Sequence, residues 1–203
     1  MTGIVVIGAG QAGSSLVARL RTLGFEGALT LIGEEPVPPY QRPPLSKGYL
    51  LGDMEAERLF LRPERYYAEH SITLTLGVKA KSIDRTAKQV HIGDESIGYD
   101  QLALATGAVP RCLPAAVGGE LAGVHVFRTL ADIDRMKPEV EVGKRVLIVG
   151  GGYIGLEAAA VMAKLGLVVA VIEAAPRILQ RVAAPETADY FRHLHRQHGG
   201  EHP

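Results

Sequence analysis

Two glycine-rich stretches carry the residue types and spacing with the clearest chemical meaning in this chain. They read IGAGQAG from Ile7 and VGGGYIG from Val149, and each contains the pattern G-x-G-x-x-G. The glycines of the two patterns are Gly8, Gly10, Gly13, Gly150, Gly152 and Gly155. In such a pattern the first glycine permits a tight turn, the second lets backbone approach a pyrophosphate, and the third lets helix and strand pack closely. Because free N–H groups at a helix N-terminus favour negative charge, each stretch predicts a nucleotide phosphate site.

The sequence around the first pattern predicts the strand, helix and strand that such a site needs. Ile4 to Ile7 is a continuous β-branched run, typical of a strand covered on both faces in a parallel sheet. Apolar residues from Ser14 to Leu23 then recur on one helical stripe, and Gly24 is placed to end that helix. Ala28 to Ile32 resumes as a strand.

The second pattern repeats this arrangement. A strand begins at Val146, a helix over Tyr153 to Leu165 ends at Gly166, and a second strand covers Val168 to Ile172. An offset of 142 positions, the distance from residue 8 to residue 150, superimposes the pattern glycines of the two units. The chain therefore contains an internal repeat, and the predicted fold class is α/β with two Rossmann-like, three-layer nucleotide-binding units.

The region between the two units predicts a stiff loop, a short helix, several strands and a linker. The loop, Pro36 to Pro44, holds five of the twelve prolines and leaves little regular hydrogen bonding. The remaining predicted elements are a helix at 64–70, strands at 72–76, 80–83, 89–92 and 102–105, and a linker at 109–123.

Each second strand is followed by acidic residues that suit a ribose diol. Glu34 or Glu35 follows the first unit, and Glu173 follows the second. Glu173 also disfavours a 2′-phosphate, since two anions about 4 Å apart repel by roughly 4 kcal/mol at an effective dielectric constant of about 20. The second unit is therefore predicted to prefer NADH over NADPH. The nearby cation Arg177 weakens this argument, and the alternative is that Arg177 is a solvated surface residue.

Two dinucleotides on one protein favour electron transfer between them, and the usual partners in such chemistry are a nicotinamide and a flavin. The alternative is that each glycine pattern serves only the close packing of a strand and a helix. That alternative is disfavoured because both patterns occur in the same strand, helix and strand context.

Composition excludes several classes of function. Lys plus Arg and Asp plus Glu both number 22, so no net positive field draws the chain to nucleic acid or anionic lipid. The apolar region from Val146 to Ile172 is interrupted by glycines and charges and is a poor membrane span. Cys112 cannot form an internal disulfide and no cleavable signal opens the sequence, so a cytoplasmic location is expected. The sequence does not fix the oligomeric state.

Four longer motifs are more specific than the glycine patterns. They are YQRPPLSKGYL from Tyr40, LALATGAVPR from Leu102, FRTLADID from Phe127 and GGGYIGLE from Gly150. With these motifs the sequence resembles the FAD-dependent, NADH-using ferredoxin reductases of oxygenase systems, of the putidaredoxin reductase and biphenyl dioxygenase reductase type. The resemblance implies a glutathione-reductase-like FAD/NAD(P)-binding fold, with an FAD-binding domain in residues 1–110 and an NAD-binding domain in 111–203.

The resemblance also implies which residues hold each cofactor. For FAD these are the glycines of the first pattern with Ala12, Glu34, Arg42, Lys47, Ala80, Thr106, Gly107 and Arg128. For the nicotinamide nucleotide these are the glycines of the second pattern with Tyr153, Ile154, Glu157 and Glu173. Tyr153 is expected to act as a lid over the flavin, as the aromatic residue at this place does in relatives.

Lys47 and Glu157 are the candidate catalytic residues. Glu157 lies among apolar residues, where an unpaired charge is costly. A glutamate near a helix start is also favoured by the helix dipole alone, and a lysine after a proline-rich loop is usually solvated. With the resemblance, the hypothesis is that the two side chains pair beside flavin N5 and steady charge during hydride transfer.

The single cysteine argues against a disulfide reductase on this fold, which needs two cysteines near the flavin. The residues also lack a cysteine set for an iron–sulfur cluster. The acceptor of the electrons is therefore expected to be a separate protein. The resemblance implies hydride transfer from NADH to FAD, then single-electron steps to a 2Fe–2S ferredoxin-type protein that feeds a cytochrome P450 or Rieske oxygenase. The alternatives are an NADH:rubredoxin reductase, a related FAD-dependent pyridine nucleotide oxidoreductase, or a nucleotide-binding remnant without turnover.

The end of the sequence departs from the resemblance. Relatives continue past HRQHGGEHP into a second FAD segment and an interface domain, so the chain is expected to be a truncated form. The same end is rich in histidine, with His193, His195, His198 and His202. Because Gly199 and Gly200 interrupt any helix there, the prediction is a solvated end without a metal site.

Overall fold

The computed structural model describes residues 3–197 and 200–201, which form two compact units. The first unit holds the described residues up to Gln41 together with Ala56–Val109. The second unit holds Arg42–Glu55 and the described residues from Pro110 onward. The segment Arg42–Glu55 therefore packs with the later part of the chain, and the FAD and NAD roles of 1–110 and 111–203 stay predictions.

Strands and helices follow the order expected of an α/β protein, so the predicted fold class is confirmed. The strands are β1 (Gly3–Ile7), β2 (Ala28–Ile32), β3 (Ile72–Thr75), β4 (Ala80–Asp84), β5 (Gln89–Ile92), β6 (Glu95–Gly98), β7 (Gln101–Leu104), β8 (Arg145–Val149), β9 (Val168–Ile172) and β10 (Gly200–Glu201). The helices are α1 (Gln11–Thr22), α2 (Gly48–Leu51), α3 (Glu64–Glu69), α4 (Leu130–Met136), α5 (Tyr153–Lys164) and α6 (Pro185–Gln197). Short 3₁₀ helices lie at Pro43–Ser46, Ala56–Leu59, Ala115–Val117 and Lys137–Glu139.

A parallel sheet in the order β3-β2-β1-β7 forms the centre of the first unit. The central strand β1 is covered on both faces, as its β-branched run predicts. On one face Val6 packs in a cluster with Val17 of α1 and Tyr67 of α3, and all three side chains are buried. On the other face Val5 packs in a cluster with Val90 of β5.

The strand β5 belongs to a small antiparallel sheet in the order β4-β5-β6. Because β5 is the middle strand of this sheet, its residues Val90 and Ile92 are buried. The strand β6 was not predicted, because its sequence ESIG has a single apolar residue and little β propensity. Its pairing with β5, rather than any local preference, makes it a strand.

The second unit is built on a parallel sheet in the order β10-β9-β8. The strands β8 and β9 run in register from Arg145 opposite Val168 to Val149 opposite Ile172. The helix α5 packs on this sheet, and the helix α6 buries Ala188 in a cluster with Leu156 of α5. Within residues 3–197 no helix combines the length and apolar character needed to cross a bilayer.

The helix α4 starts with a capping signal that the sequence reasoning did not use. Thr129 Oγ1 accepts a hydrogen bond from the Asp132 N–H at 3.1 Å. The Asp132 carboxylate accepts one from the Thr129 N–H at 2.8 Å. This reciprocal pair satisfies two backbone donors at the helix start, and the Arg128 N–H also donates to the Asp132 carboxylate at 3.3 Å.

One detail of the predicted helical stripe was wrong. Leu23 was predicted to continue the apolar stripe of this helix, but it is 66% exposed. The helix α1 ends at Thr22, and Leu23 is its C-cap, with an N–H that donates to the Arg19 carbonyl at 3.0 Å. The chain turns at Gly24, which has φ of +84°, before another helical position can form.

Gly13→Ser is expected to destabilise the first unit, because the added Cβ would lie 2.0 Å from the Gly8 carbonyl oxygen. Overpacking of this kind costs about 1–3 kcal/mol. The matched control is Gly10→Ser, where a Cβ meets no described atom within 4 Å. Thermal unfolding followed by circular dichroism should give a lower midpoint for Gly13→Ser than for Gly10→Ser. Equal midpoints would show that the third glycine has no packing role.

Candidate nucleotide-binding sites

The glycine turn of the first unit leaves no room for a side chain at its first and third positions. Gly8 has φ of +115°, and its N–H donates to the Ile32 carbonyl at 2.8 Å. A Cβ on Gly8 would lie 2.1 Å from the Ala105 carbonyl oxygen, and one on Gly13 would lie 2.0 Å from the Gly8 carbonyl oxygen. Packing inside the protein therefore requires glycine at both positions.

The second unit repeats this turn with nearly the same geometry. Gly150 has φ of +114°, and its N–H donates to the Ile172 carbonyl at 2.8 Å. A Cβ on Gly155 would lie 2.0 Å from the Gly150 carbonyl oxygen. The dihedral angle, the hydrogen bond and the contact of the third glycine all match the first unit. The first glycines differ in one respect, since a Cβ on Gly150 would meet no described atom within 4 Å and glycine is favoured there by its positive φ.

The middle glycines, Gly10 and Gly152, differ because protein packing does not explain them. A Cβ at either position would meet no described atom within 4 Å. Each is the N-cap of a 12-residue helix without a capping side chain or an acidic residue in its first turn. Both helix starts are therefore open at the N-cap glycine, and no side chain among residues 3–197 caps either helix. A dinucleotide pyrophosphate fits both positions.

Glu173 lies beside the glycine turn of the second unit. Its carboxylate accepts hydrogen bonds from the N–H groups of Ala175 at 2.9 Å and Gly151 at 2.8 Å. These backbone hydrogen bonds hold the pKa of the Glu173 carboxyl below its ordinary value. Glu173 faces a cavity of about 490 Å³. The cavity is lined by Gly151, Gly152, Tyr153, Glu173, Ala174, Ala175, Leu179, Gln180, Arg181 and Val182.

The two units differ at the end of their second strand. Ile7 pairs with Ile32 in the first unit and Val149 with Ile172 in the second, so the offset between the units falls to 140 at these strand ends. Glu173 therefore corresponds to Gly33, and Glu34 lies one residue further along. A Cβ on Gly33 would lie 2.6 Å from the Ala9 Cβ, which excludes an acid there. In the second unit Gly151 stands at the position of Ala9. Its N–H donates to the Glu173 carboxylate.

The two acids of the first unit have different surroundings. The Glu34 side chain is 67% exposed, with its carboxylate 3.3 Å from Lys79 Nζ. The Glu35 carboxylate accepts a hydrogen bond from the Tyr40 hydroxyl at 2.6 Å. Of the two candidates, Glu34 is the one whose carboxylate faces solvent and could take a ribose.

Lys47 and Glu157 form an ion pair within the second unit. Lys47 Nζ lies 2.7 Å from Glu157 Oε2, and Ser46 Oγ donates to the same oxygen at 2.8 Å. Burial acts to raise the pKa of Glu157, but the hydrogen bonds from Lys47 and Ser46 outweigh it and hold that pKa below its ordinary value. The two residues predicted to pair are therefore in contact, while their catalytic role stays a prediction.

The ion pair opens onto a second cavity of about 300 Å³. Arg42 Nη1 donates to the Arg128 carbonyl at 2.7 Å and brings these two predicted residues together. The cavity is lined by Arg42, Pro43, Leu45, Ser46, Lys47, Phe127, Arg128, Ile154 and Glu157. Three cations around one cavity suit a ligand that carries or develops negative charge.

The remaining predicted residues lie at strand ends or helix starts. Ala12 is exposed in the first turn of α1, and Ala80 begins β4. Thr106 and Gly107 are exposed just after β7, which pairs with β1, so they lie at the strand edge that carries the first glycine turn. Ile154, in the first turn of α5, is 53% exposed.

Sequence reasoning missed Ser46, Phe127 and Arg181. Ser46 and Phe127 fall inside motifs that were quoted for their resemblance alone, and no spacing rule marks a serine in a proline-rich loop. Arg181 lines the cavity at Glu173 but lies outside the helices and strands, so no periodic pattern in the sequence marks it.

The histidines are only partly within the described residues. His193 and His195 lie on α6, and His193 Nδ1 lies 2.7 Å from the Asp189 carbonyl oxygen. His198 and His202 lie outside the described residues. Within residues 3–197 and 200–201, no group of three His, Cys, Asp or Glu side chains is placed to hold a metal ion.

Comparison with known proteins agrees with this geometry. A family model described as pyridine nucleotide-disulphide oxidoreductase matches residues 2–200. The chain belongs to this family. Its relatives include rhodocoxin reductase of Rhodococcus erythropolis, 45% identical over 97% of this chain. Another is rubredoxin-NAD(+) reductase of Pseudomonas putida, 40% identical over 93% of this chain.

Solved structures give the same result. The covalent putidaredoxin reductase–putidaredoxin complex matches all of this chain with a TM-score of 0.95 and 39% identity. These findings confirm the predicted resemblance to ferredoxin reductases and the Rossmann-like fold of the pyridine nucleotide-disulphide oxidoreductase family. The chain spans about half the length of its relatives, 46% of rhodocoxin reductase and 49% of the reductase in the solved complex.

Glu173→Gln is expected to destabilise the chain at neutral pH, and the effect should shrink in acid. A carboxyl with a lowered folded-state pKa stabilises the fold above its ordinary value of 4.5, and this stabilisation is lost as pH falls through the folded pKa. Urea unfolding over a pH series compares the variant with wild type. Glu120→Gln, at an exposed linker position, is the control. A stability difference that does not change with pH would contradict this role for the Glu173 charge.

Proposed function

We propose that this chain provides the nucleotide-binding units of a flavoprotein oxidoreductase that passes electrons from NADH through FAD to a 2Fe–2S ferredoxin-type protein. The observation that carries the proposal is the pair of matching glycine turns, each with an open middle glycine and an uncapped helix. The names of the relatives support it, since one is a rhodocoxin reductase and another is bound to putidaredoxin. The ferredoxin would in turn feed a cytochrome P450 or Rieske oxygenase.

The two turns are assigned to different cofactors by the residues beside them. Glu173 at the second turn suits an unphosphorylated ribose, which favours NADH there. The first turn would take FAD, with Glu34 on its ribose and Ala12, Ala80, Thr106 and Gly107 along the nucleotide. Arg42 and Arg128 would add positive charge at the 300 Å³ cavity of the second unit.

When both cofactors are bound, NADH supplies a hydride and FAD accepts it and releases electrons singly. The contribution of the protein is to fix charge near the reacting groups. The Lys47 ammonium can stabilise negative charge that develops in the 300 Å³ cavity, and Glu157 holds the ammonium in place. Tyr153 is 59% exposed and lines the cavity at Glu173, and we propose that its ring covers the flavin.

Electrons are proposed to leave to a separate protein. Cys112 is the one cysteine of the 203 residues and is exposed, so neither a redox disulfide nor a cluster can form within them. An exposed thiol also suits a reducing compartment, and we place the reaction in the cytoplasm on that ground.

The test is to load the purified chain with FAD, add NADH without oxygen, and follow the flavin absorbance. Wild type should bleach, and an oxidised 2Fe–2S ferredoxin should restore the colour. Lys47→Met should bleach about 10- to 100-fold more slowly with unchanged FAD content, because one electrostatic contact of a half-exposed pair is lost. Lys144→Met is the matched control, since Lys144 is equally exposed and bonded to Glu141 at 2.8 Å.

Three results would overturn parts of the proposal. If the chain folds but does not bind FAD, its assignment as a flavoprotein is excluded. Bound flavin that NADH does not bleach indicates a nucleotide-binding protein without turnover. If rubredoxin reoxidises the bleached flavin and ferredoxin does not, the electron acceptor is rubredoxin and not a ferredoxin.

A further inference from the structure

Ser46 is unusual in being a buried polar residue at the candidate catalytic pair. Ser46 is 5% exposed, and within residues 3–197 the only other buried serine is Ser14, in the first unit. Burying a hydroxyl is unfavourable unless it is hydrogen-bonded. Ser46 meets this requirement mainly through Glu157, since its second contact, to the Pro43 carbonyl, is long at 3.4 Å.

Ser46 and Lys47 act on one oxygen of the same carboxylate. Ser46 Oγ lies 2.8 Å and Lys47 Nζ 2.7 Å from Glu157 Oε2. Among the described residues, no group donates to Glu157 Oε1. One oxygen therefore has two protein donors, and the other has none among the described residues, in a residue that lines the 300 Å³ cavity.

The two donors differ in rigidity. The Lys47 side chain is 50% exposed on a flexible four-carbon stem, so holding it costs side-chain entropy. Ser46 has one side-chain torsion and ends a 3₁₀ helix, Pro43–Ser46, whose prolines restrict its backbone. The N–H of Lys47 donates to the Pro44 carbonyl at 3.0 Å and closes this turn. Ser46 is therefore the donor whose position is fixed by the fold.

We propose that Ser46 is a positioning residue that fixes the orientation of the Glu157 carboxylate, so that Lys47 meets one oxygen and a ligand can meet the other. The proposal rests on the proposed function for its link to hydride transfer, but the contact itself is a property of the second unit alone. Arg42, Lys47 and Arg128 are the other charged groups that line this cavity, and all three are cations.

The first measurement needs no cofactor. Carbon NMR of the side-chain carboxyls, with the Glu157 signal assigned by its loss in Glu157→Gln, follows the titration of Glu157. In Ser46→Ala the Glu157 pKa should be higher than in wild type, because a hydrogen bond to the charged form is lost. Ser46→Thr, which keeps the hydroxyl, should restore the wild-type titration. Ser14→Ala, which removes the other buried serine hydroxyl, should leave it unchanged.

The second measurement links the contact to the reaction. In the FAD-loaded chain, Ser46→Ala should slow bleaching by NADH about tenfold, which is the effect of losing one hydrogen bond to a charged group. The acid limb of the pH profile of the bleaching rate should move to higher pH. Ser46→Cys keeps the side-chain size with a weaker donor and should fall between alanine and wild type.

The outcomes separate this proposal from the proposed function. A Glu157 titration that is the same in Ser46→Ala, Ser46→Cys and wild type overturns the positioning role. A raised pKa together with slowed bleaching supports both proposals. A raised pKa in a protein whose wild type never bleaches supports the positioning role and overturns the proposed function.

Discussion

The contact between the third glycine of each turn and the carbonyl of the first is the constraint on which the rest of the structure depends. A Cβ on Gly13 or Gly155 would lie 2.0 Å from that carbonyl oxygen, so helix and strand meet there without side chains. This close approach points the N-termini of α1 and α5 into open space at the strand ends. The phosphate-binding potential of both units follows from packing, and Gly10 and Gly152 only keep the space open.

The sequence predicts this part of the molecule well because the relevant forces are local. A β-branched run, a glycine pattern and an apolar stripe are all read within about thirty residues, the length of a βαβ unit. Prediction failed where the surroundings of a residue, rather than its own pattern, decide the structure. The strand β6 exists through its pairing with β5, and Leu23 is exposed because α1 ends one residue before it. An acidic residue is excluded from position 33, which corresponds to Glu173, by the Ala9 side chain.

The candidate catalytic pair depends on contacts between residues far apart in sequence. Lys47 and Glu157 are 110 residues apart in sequence, and only the resemblance to ferredoxin reductases suggested that they meet. Ser46, one residue from Lys47, completes the group through the fold of a proline-rich turn. A buried hydroxyl of this kind leaves no periodic signal in the sequence, because its environment is set by packing with α5.

The central claim is that the two turns hold two different dinucleotides on one chain. Equilibrium binding of FAD and of NADH to wild type, Gly10→Val and Gly152→Val tests it most directly, with circular dichroism to confirm that each variant is folded. The account predicts that Gly10→Val loses FAD and keeps NADH, and that Gly152→Val loses NADH and keeps FAD. Two folded variants that bind both ligands as wild type does, or one variant that loses both, would contradict it.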